Sequence, residues 1–351
     1  MRKNLLMSMA STFVATLLLV GCGSETGGNP VGNDKSTNDK ANGEIQKKIE
    51  FNLGHTNSTD NHYHAFAVKL AELVSEKSNG SITINVFPQS QLGGEVSMFQ
   101  GIREGSVDML IAGQSALTNT VKELAVMDLP YLFDSVEQAN KVLAGDVGKK
   151  YLDLLSDYDA KGLGYLSVLQ RNVYSNKPIN SLADLKGFKI RTAQAPAYMK
   201  AYEILGAQPT PMAFSEVYLS LQQGVVDGGE GSPDNYVYDK MVEVAKFYNM
   251  TKIHYLPSVF MMSEKKWDGL SPDQQTIIQE SVKEALPASF DYYKKSYDES
   301  LEKAKELDAK IIEPDLTEFK KEAEKVYDEL LSSIPNGPEL LKEIQNEASK
   351  Y

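Results

Sequence analysis

Two arginines follow apolar, strand-like stretches in the middle of the chain. Arg171 ends the stretch GYLSVLQR, and Arg191 ends FKIR. In open α/β sheets the carboxyl ends of the strands face the ligand crevice. A guanidinium at such a place can hold a carboxylate through two parallel charge-assisted hydrogen bonds, a planar fit that lysine lacks. The pair therefore indicates an organic-anion site, although surface salt bridges explain the spacing equally well.

An acidic pair stands in a glycine-rich segment further along. Asp227 and Glu230 lie in DGGEGSPD, directly after the strand-like Val225-Val226. Two carboxyl groups can serve as general acid and base. The glycines are equally compatible with a tight turn, or with close approach of the backbone to a ligand. We expect this segment to be a loop, and neither interpretation requires catalysis.

Histidines and enzyme motifs give little support for catalysis. His62 and His64 are two residues apart, so they diverge on a helix and could share a metal only on a strand or turn. The simpler interpretation, that both histidines are loop and helix-start residues, is favoured. The chain has no G-x-x-x-x-G-K-[ST], G-x-G-x-x-G, H-E-x-x-H or G-x-S-x-G motif. We therefore expect neither an enzyme of these classes nor a cofactor.

Composition narrows the possible partners. The 351 residues include 36 Lys and Arg against 48 Asp and Glu, a formal charge of -12 that argues against nucleic acid. Cys22 is the only cysteine, which excludes an internal disulfide and a Cys-x-x-Cys pair. It ends LVGC, after a basic start and an apolar run that predict a signal peptide at 1–21. This ending resembles the bacterial lipoprotein box, which implies a lipidated Cys22; an uncleaved anchor helix is the alternative. The polar residues 22–44 predict a flexible tether.

Helical and strand-like patterns alternate through the rest of the chain. Strands are predicted at 49–55, 82–86, 107–112 and 188–191, and helices at 66–74, 96–104 and 214–221. Ser215 is a candidate N-cap, and Ser271-Pro272-Asp273 starts a helix that continues to about 308. Such a helix would be about 55 Å long, enough to brace two α/β lobes.

Several blocks in register carry a family resemblance. RNVYSNKPINSLADLKGFKIRT and LGAQPTPMAFSEVYLSLQQGVVDGGEG, with VFPQSQLGGE, GSVDM and DLPYLFDS upstream, closely resemble solute-binding subunits of tripartite ATP-independent periplasmic (TRAP) transporters. The likeness extends from residue 48 to the C-terminus. It implies a two-lobe, type II periplasmic-binding-protein-like α/β fold with mixed sheets and a long helix spanning both lobes. We expect lobe I at 45–168 plus 257–296 and lobe II at 169–256 plus 297–351.

The resemblance also assigns roles to single residues. It implies that Arg191, in LKGFKIR, clamps a carboxylate and that Arg171, before YSNKPI, adds a second contact. Further ligand contacts are implied at His55, Glu95, Gln114, Phe214 and Glu230. Gln194 follows Arg191 where some relatives carry asparagine. The family's D-G-x-E-N asparagine is Gly231 here, so its contact must be lost or supplied otherwise, for example by Asn235.

The expected activity is capture of an organic anion by closure of the two lobes. The implied polar groups suit hydroxyls, which favours a sugar acid such as a uronate or aldonate; a C4-dicarboxylate is the alternative because a second arginine could receive a second carboxylate. An extracytoplasmic lyase or hydrolase acting through Glu230, or a ligand sensor for a membrane kinase, also stays open. The resemblance implies delivery to the small and large subunits of a membrane permease by a monomer anchored outside the cytoplasmic membrane.

Overall fold

A computed structural model describes residues 48–351. The predicted signal peptide at 1–21, the tether at 22–44 and Cys22 lie outside the described residues. The strands, numbered in chain order, are β1 (Ile49–Gly54), β2 (Ile82–Phe87), β3 (Met109–Gly113), β4 (Ala160–Ser175), β5 (Lys189–Thr192), β6 (Gln208–Pro211), β7 (Gly228–Gly231), β8 (Phe247–Ser263) and β9 (Lys310–Ile312).

The helices fill most of the remaining chain. They are α1 (His62–Lys77), α2 (Glu95–Glu104), α3 (Val136–Ala144), α4 (Asp146–Leu154), α5 (Pro196–Ile204), α6 (Val217–Gln222), α7 (Pro233–Tyr238), α8 (Met241–Val244), α9 (Glu264–Asp268), α10 (Pro272–Glu306), α11 (Thr317–Ala323), α12 (Tyr327–Ser333) and α13 (Gly337–Ala348). Short 3-10 helices cover Gln114–Leu117, Lys122–Asp128, Leu155–Tyr158, Leu182–Leu185, Phe214–Glu216 and Glu324–Val326. No helix within residues 48–351 is long and apolar enough to cross a membrane.

Helix boundaries follow local capping chemistry. Ser271 caps α10 through a capping box with Gln274, and proline occupies the first turn, as the sequence predicts. Gly105 ends α2 in the left-handed conformation. The predicted N-cap at Ser215 is wrong, because that residue lies inside a 3-10 turn and α6 begins only at Val217.

The glycine-rich segment 228–231 is a strand, not the loop predicted from its composition. It forms β7, which pairs with β4 over Asn172 to Ser175. A Cβ atom at Gly228 would stand 2.5 Å from the Tyr174 carbonyl oxygen, and one at Gly229 would stand 2.6 Å from the Tyr174 hydroxyl. Glycine is therefore required by close packing inside the sheet rather than by a turn.

Within residues 48–351, nine strands form one mixed sheet. The order is β2-β1-β3-β8-β4-β7-β5-β6, with β9 beside β8. The long strands β4 and β8 pair antiparallel in the middle, and their register shifts at three places. Parallel pairs lie to either side, between β1 and its neighbours and between β5 and its neighbours. The two long strands therefore connect two α/β lobes, each with its own core.

Helix α10 spans both lobes, as the sequence predicts. Near its start, Ile278, Val282 and Ala285 pack in the lobe I core with α1 and β1. Near its end, Ala304 packs in the lobe II core with Tyr174 and Tyr248. The helix has 35 residues and is therefore about 52 Å long.

The C-terminal segment corrects the expected lobe boundaries. Phe319 and Ala323 pack in lobe II, but residues 326–348 return to lobe I and join its core beside α3 and α4. The prediction assigned all of 297–351 to lobe II. Helical periodicity reveals that α13 has an apolar face, carrying Leu340 and Ile344, yet it does not reveal which lobe that face covers.

Candidate anion-binding site between the lobes

A small cavity lies between the lobes. Lobe I contributes Glu95, at the first turn of α2, and lobe II contributes Arg191, Gln194 and Phe214. The structure thus brings together four of the residues named from the sequence. The space measures about 20 Å³, roughly enough for one water molecule. Entry of an organic acid therefore requires the lobes or the lining side chains to move.

Arg191 is buried and has no acidic partner within ion-pair distance among residues 48–351. Its side chain stands at the carboxyl end of the short strand β5, and only 4% of its surface is exposed. Nε and Nη2 donate to the carbonyl oxygen of Met212, at 3.2 and 2.8 Å. The guanidinium lies 5.8 Å from the centre of the Phe214 ring. One edge of the group is fixed, and Nη1 makes no hydrogen bond within the described chain.

The electrostatics of Arg191 reflect this isolation. Burial lowers its pKa, and the positive charge of Arg171 lowers it further, while Tyr174 and Glu95 act in the opposite direction. A buried charge without a partner is costly, and an anion placed beside it removes that cost. Arg191 is thus a buried cation whose charge no acidic side chain within residues 48–351 pairs at ion-pair distance.

Arg171 has different surroundings although it is equally buried. Its Nη2 donates to the main-chain oxygen of Glu230, and its Nε lies 3.6 Å from Glu230 Oε1. Both oxygens of Glu230 contact His254 Nδ1, at 2.9 and 3.1 Å. The His254 ring stacks on Tyr198 with 4.0 Å between ring centres. These residues form a buried cluster, the Arg171 cluster, in which the arginine already has its carboxylate.

Pairing keeps Arg171 and Glu230 charged. Burial alone would raise the pKa of Glu230, but His254 and Arg171 hold it below its ordinary value. Burial also disfavours the charged form of Arg171, yet Glu230 raises its pKa above the usual range. The strand register explains the pairing, because Arg171 lies opposite His254 on β8 while Val173 lies opposite Glu230 on β7.

Glu95 brings a negative charge to the cavity from lobe I. Its Oε1 accepts from the Gly113 main-chain N–H at 2.9 Å and from the Thr56 hydroxyl at 3.4 Å. Burial raises the pKa of Glu95, although Gly113, Arg191 and Arg171 oppose that rise. The carboxylate is thus held in place by lobe I and lies within the field of both arginines.

Two of the predicted ligand residues use their polar atoms elsewhere. Gln114 donates to the Leu124 carbonyl and accepts from the Tyr165 hydroxyl inside lobe I. Asn235 donates to Asp239 and accepts from Ser232. Both amides thus hydrogen-bond within the protein and neither lines the cavity, so their contact with a ligand stays a prediction.

His55 lies in the interior but does not line the cavity. It is fully buried, and its Nε2 lies 3.2 Å from His64 Nδ1. Burial, with the charges of His64 and His62, lowers the pKa of His55 to about 3. It is not among the residues that line the cavity, although its neighbour Thr56 contacts Glu95. Within residues 48–351 no three side chains of metal-binding type form a cluster.

Two site residues were missed by sequence reasoning. His254 carries no motif, and only its register opposite Arg171 reveals its role. Tyr174 was hidden inside an apolar strand. Its hydroxyl is buried without a hydrogen-bond partner in the described chain, and both arginines lower its pKa against the larger effect of burial.

Tyr174 also explains the departure at Gly231. A Cβ atom at Gly231 would lie 3.1 Å from the Tyr174 ring, which is tight packing. The ring takes up part of the space that a side chain at Gly231 would need, and the Tyr174 hydroxyl itself lies beside Gly229.

Two lobes joined by paired strands, with a buried arginine between them that has no acidic partner within residues 48–351, are the arrangement of a solute-binding protein. The family model for bacterial extracellular solute-binding protein, family 7 (DctP), matches residues 53–333. The chain belongs to this family.

Individual relatives agree with this assignment. The chain is 32% identical over 303 residues to the 2,3-diketo-L-gulonate-binding periplasmic protein YiaO of Escherichia coli (strain K12), covering 83% of this chain and 90% of that protein. It is 31% identical over 294 residues to the C4-dicarboxylate-binding periplasmic protein DctP of Rhodobacter capsulatus, covering 83% and 86%. A TRAP periplasmic solute-binding protein from Sulfitobacter sp. NAS-14.1, solved with bound β-D-galacturonate, superposes with a TM-score of 0.82 at 28% identity, covering 85% and 99%.

Proposed function

We propose that this protein captures a sugar acid, such as a uronate or aldonate, outside the cytoplasmic membrane and delivers it to an ion-coupled TRAP permease. The main support is the difference in pairing between two buried arginines: Arg191 has no acidic partner within residues 48–351, whereas Arg171 is already neutralised by Glu230. The ligand carboxylate binds Arg191, and closure of the lobes removes the ion pair from water, which strengthens it.

The charges in the cleft favour one carboxylate over two. Arg171 and Glu230 offset each other, which leaves Arg191 facing Glu95 across the cavity. A second carboxylate would meet Glu95 without a free cation beside it. A carboxylate accepts hydrogen bonds, so Glu95 suits a sugar hydroxyl. The galacturonate-bound relative supports this choice, whereas the C4-dicarboxylate-binding relative supports the alternative ligand.

The acid–base alternative through Glu230 has weaker support. A general acid needs a proton near neutral pH. Glu230 has its pKa lowered, and its oxygens contact His254 and Arg171. We infer that the protein binds its ligand and releases it unchanged. Mass spectrometry of the acid before and after incubation with the protein checks this, since any new product would contradict it.

Isothermal titration with a ligand panel tests the proposal. D-Galacturonate, D-gluconate and succinate are titrated into the protein from residue 45 onward and into its Arg191→Ala variant. We expect saturable binding of at least one sugar acid, no comparable binding of succinate, and loss of binding in the variant. Tight binding of succinate alone would establish the dicarboxylate alternative, and binding of none would overturn the proposal.

Delivery and anchoring complete the proposed function. LVGC at residues 19–22 supports lipidation at Cys22, and the polar residues 22–44 would hold the lobes close to the membrane. The family assignment supports a permease with a small and a large membrane subunit as the partner. Genes for two strongly apolar membrane proteins beside this one would agree with that partner, and a neighbouring membrane kinase would favour the sensor alternative.

A further inference from the structure

A second hollow, which we name the outer vestibule, adjoins the cavity beside Arg191. Residues from both lobes line it, and its volume is about 460 Å³. It shares four lining residues with the inner cavity: Val96, Ala116, Gln194 and Ala213. The two spaces therefore meet along a common wall, and a molecule held at Arg191 can extend outward into the vestibule when the inner cavity widens.

The lining of the outer vestibule is uncharged and combines apolar with polar side chains. Its polar side chains are hydroxyls and amides: Ser97, Gln100, Asn119, Thr120 and Gln194. Its apolar surface comes from Val96, Phe99, Ala116 and Ala213. A sugar ring has hydroxyl edges and carbon faces, so this mixture suits a neutral sugar. Among the residues that the structure describes, no lysine or arginine lines the vestibule to receive a second carboxylate.

Within residues 48–351 some of these polar groups are already hydrogen-bonded: the Ser97 hydroxyl donates to the Gly94 carbonyl, and the Gln100 amide donates to Glu104 and accepts from Arg103. The Asn119 amide donates to the main-chain oxygen of Gln194 across the cleft, and no donor reaches its own Oδ1. The Thr120 hydroxyl and the Gln194 amide have no side-chain hydrogen bond within the same range. Amides and hydroxyls both donate and accept, as recognition of sugar hydroxyls requires. The lip of the vestibule is therefore held by one contact between the lobes and presents further groups to a ligand.

We propose that the outer vestibule is a subsite for a neutral sugar unit, so that the protein binds sugar acids carrying a glycosidic extension as well as the single acids. This inference rests on the proposed function, because the carboxylate at Arg191 fixes the end from which the extension leaves. The volume lies within the range of small-molecule sites. A second acidic unit would bring a carboxylate into an uncharged space and is excluded.

Matched ligand pairs test the subsite by isothermal titration. The first pair is gluconate and lactobionate, which is gluconate carrying a neutral galactosyl unit. The second pair is glucuronate and the aldobiouronate in which glucuronate is linked to a neutral xylose unit. We expect the extended member of a bound pair to bind within about threefold of its parent or more tightly. An extended acid weaker than its bound parent by about 100-fold or more would overturn the subsite while leaving the proposed function intact. Binding of no acid would overturn both.

A blocking variant locates the extension. Ser97 lines the vestibule but not the inner cavity, so Ser97→Trp fills the vestibule alone. Ser332→Trp, at an exposed position on α12, is the matched control. We expect Ser97→Trp to weaken binding of the extended acid at least tenfold and to change binding of its parent by less than about twofold. Equal affinity for the extended acid in both variants would show that the extension lies elsewhere.

Discussion

Arg191 and Arg171 are the same residue type at similar burial, yet their surroundings are opposite. Arg171 lies in a cluster where it donates to the main-chain oxygen of Glu230 and pairs with the Glu230 carboxylate, which His254 contacts in turn. Arg191 has only the Met212 carbonyl on one edge of its guanidinium. The difference shows that burial of an arginine does not by itself indicate a binding role. The absence of an internal counter-charge, within residues 48–351, separates the proposed carboxylate site from a structural ion pair.

The largest expected effect is a loss of stability when Arg171 is removed from its buried ion pair with Glu230. Arg171→Met keeps most of the side-chain volume but leaves Glu230 buried without its arginine. Removing one partner of a buried ion pair costs about 3–5 kcal/mol of unfolding free energy. Denaturant unfolding at pH 7 measures this loss. Arg171→Met combined with Glu230→Gln is the control, and we expect it to recover part of the stability. An unchanged unfolding midpoint in the single variant would contradict the structural role.

Arg191→Ala removes the proposed carboxylate contact, so we expect it to weaken ligand binding rather than folding. We expect the affinity for the sugar acid to drop at least 10- to 100-fold, about 1.4–2.8 kcal/mol, because a desolvated charged pair is lost. The unfolding free energy should not decrease, since an isolated buried charge is removed. Titration calorimetry and denaturant unfolding measure the two effects. Arg103→Ala, on α2, is the control, and retained affinity in Arg191→Ala would refute the site assignment.

His55 differs from both arginines because it is a buried base that stays neutral in the folded protein. Its pKa is lowered to about 3 in the folded protein, against about 6.5 when unfolded. The unfolded chain therefore binds the proton first, so this stability is complete above pH 6.5 and is lost as the pH falls toward 3. At pH 5 the loss is about 2 kcal/mol. His55→Gln should weaken the pH dependence of unfolding between pH 7.5 and 5, and an unchanged slope would contradict this.

Tyr174→Phe gives the smallest expected effect. The tyrosine hydroxyl has no partner in the described chain, so its removal should not lower the unfolding free energy. If it donates to the bound acid beside the arginines, affinity should fall about 3- to 10-fold, near 1 kcal/mol. Titration calorimetry combined with thermal unfolding separates the two quantities. Loss of stability with unchanged affinity would show that the hydroxyl serves the fold instead.

The sequence correctly predicted the elements that depend on residues close together in the chain. The capping residues of α10 and the helical length after them predicted a helix spanning both lobes, because caps and periodicity depend on neighbours in the chain. It failed for β7, where Gly228 and Gly229 are required by the ring and carbonyl of Tyr174 across the sheet. That packing partner lies more than 50 residues away, so composition alone suggested a loop.

The site was predictable to a similar degree. The family resemblance named Arg191, Glu95, Gln194 and Phe214, which line one cavity. It could not reveal that Gln114 is occupied by the Tyr165 hydroxyl. Nor could it find His254, because the partner of a buried carboxylate is set by strand register and not by a motif. Hydrogen-bond partners depend on the three-dimensional arrangement of the side chains, so a single sequence does not predict which buried polar groups are already paired.

The return of residues 326–348 to lobe I has a consequence for the order of folding. Residues 49–54 open the first strand of that lobe, and α13 fills its core beside α3 and α4. A chain emerging from its amino end thus acquires every described part of lobe II before lobe I can complete its interior. The lobe that starts first finishes last, and until then its apolar surface needs protection from other chains.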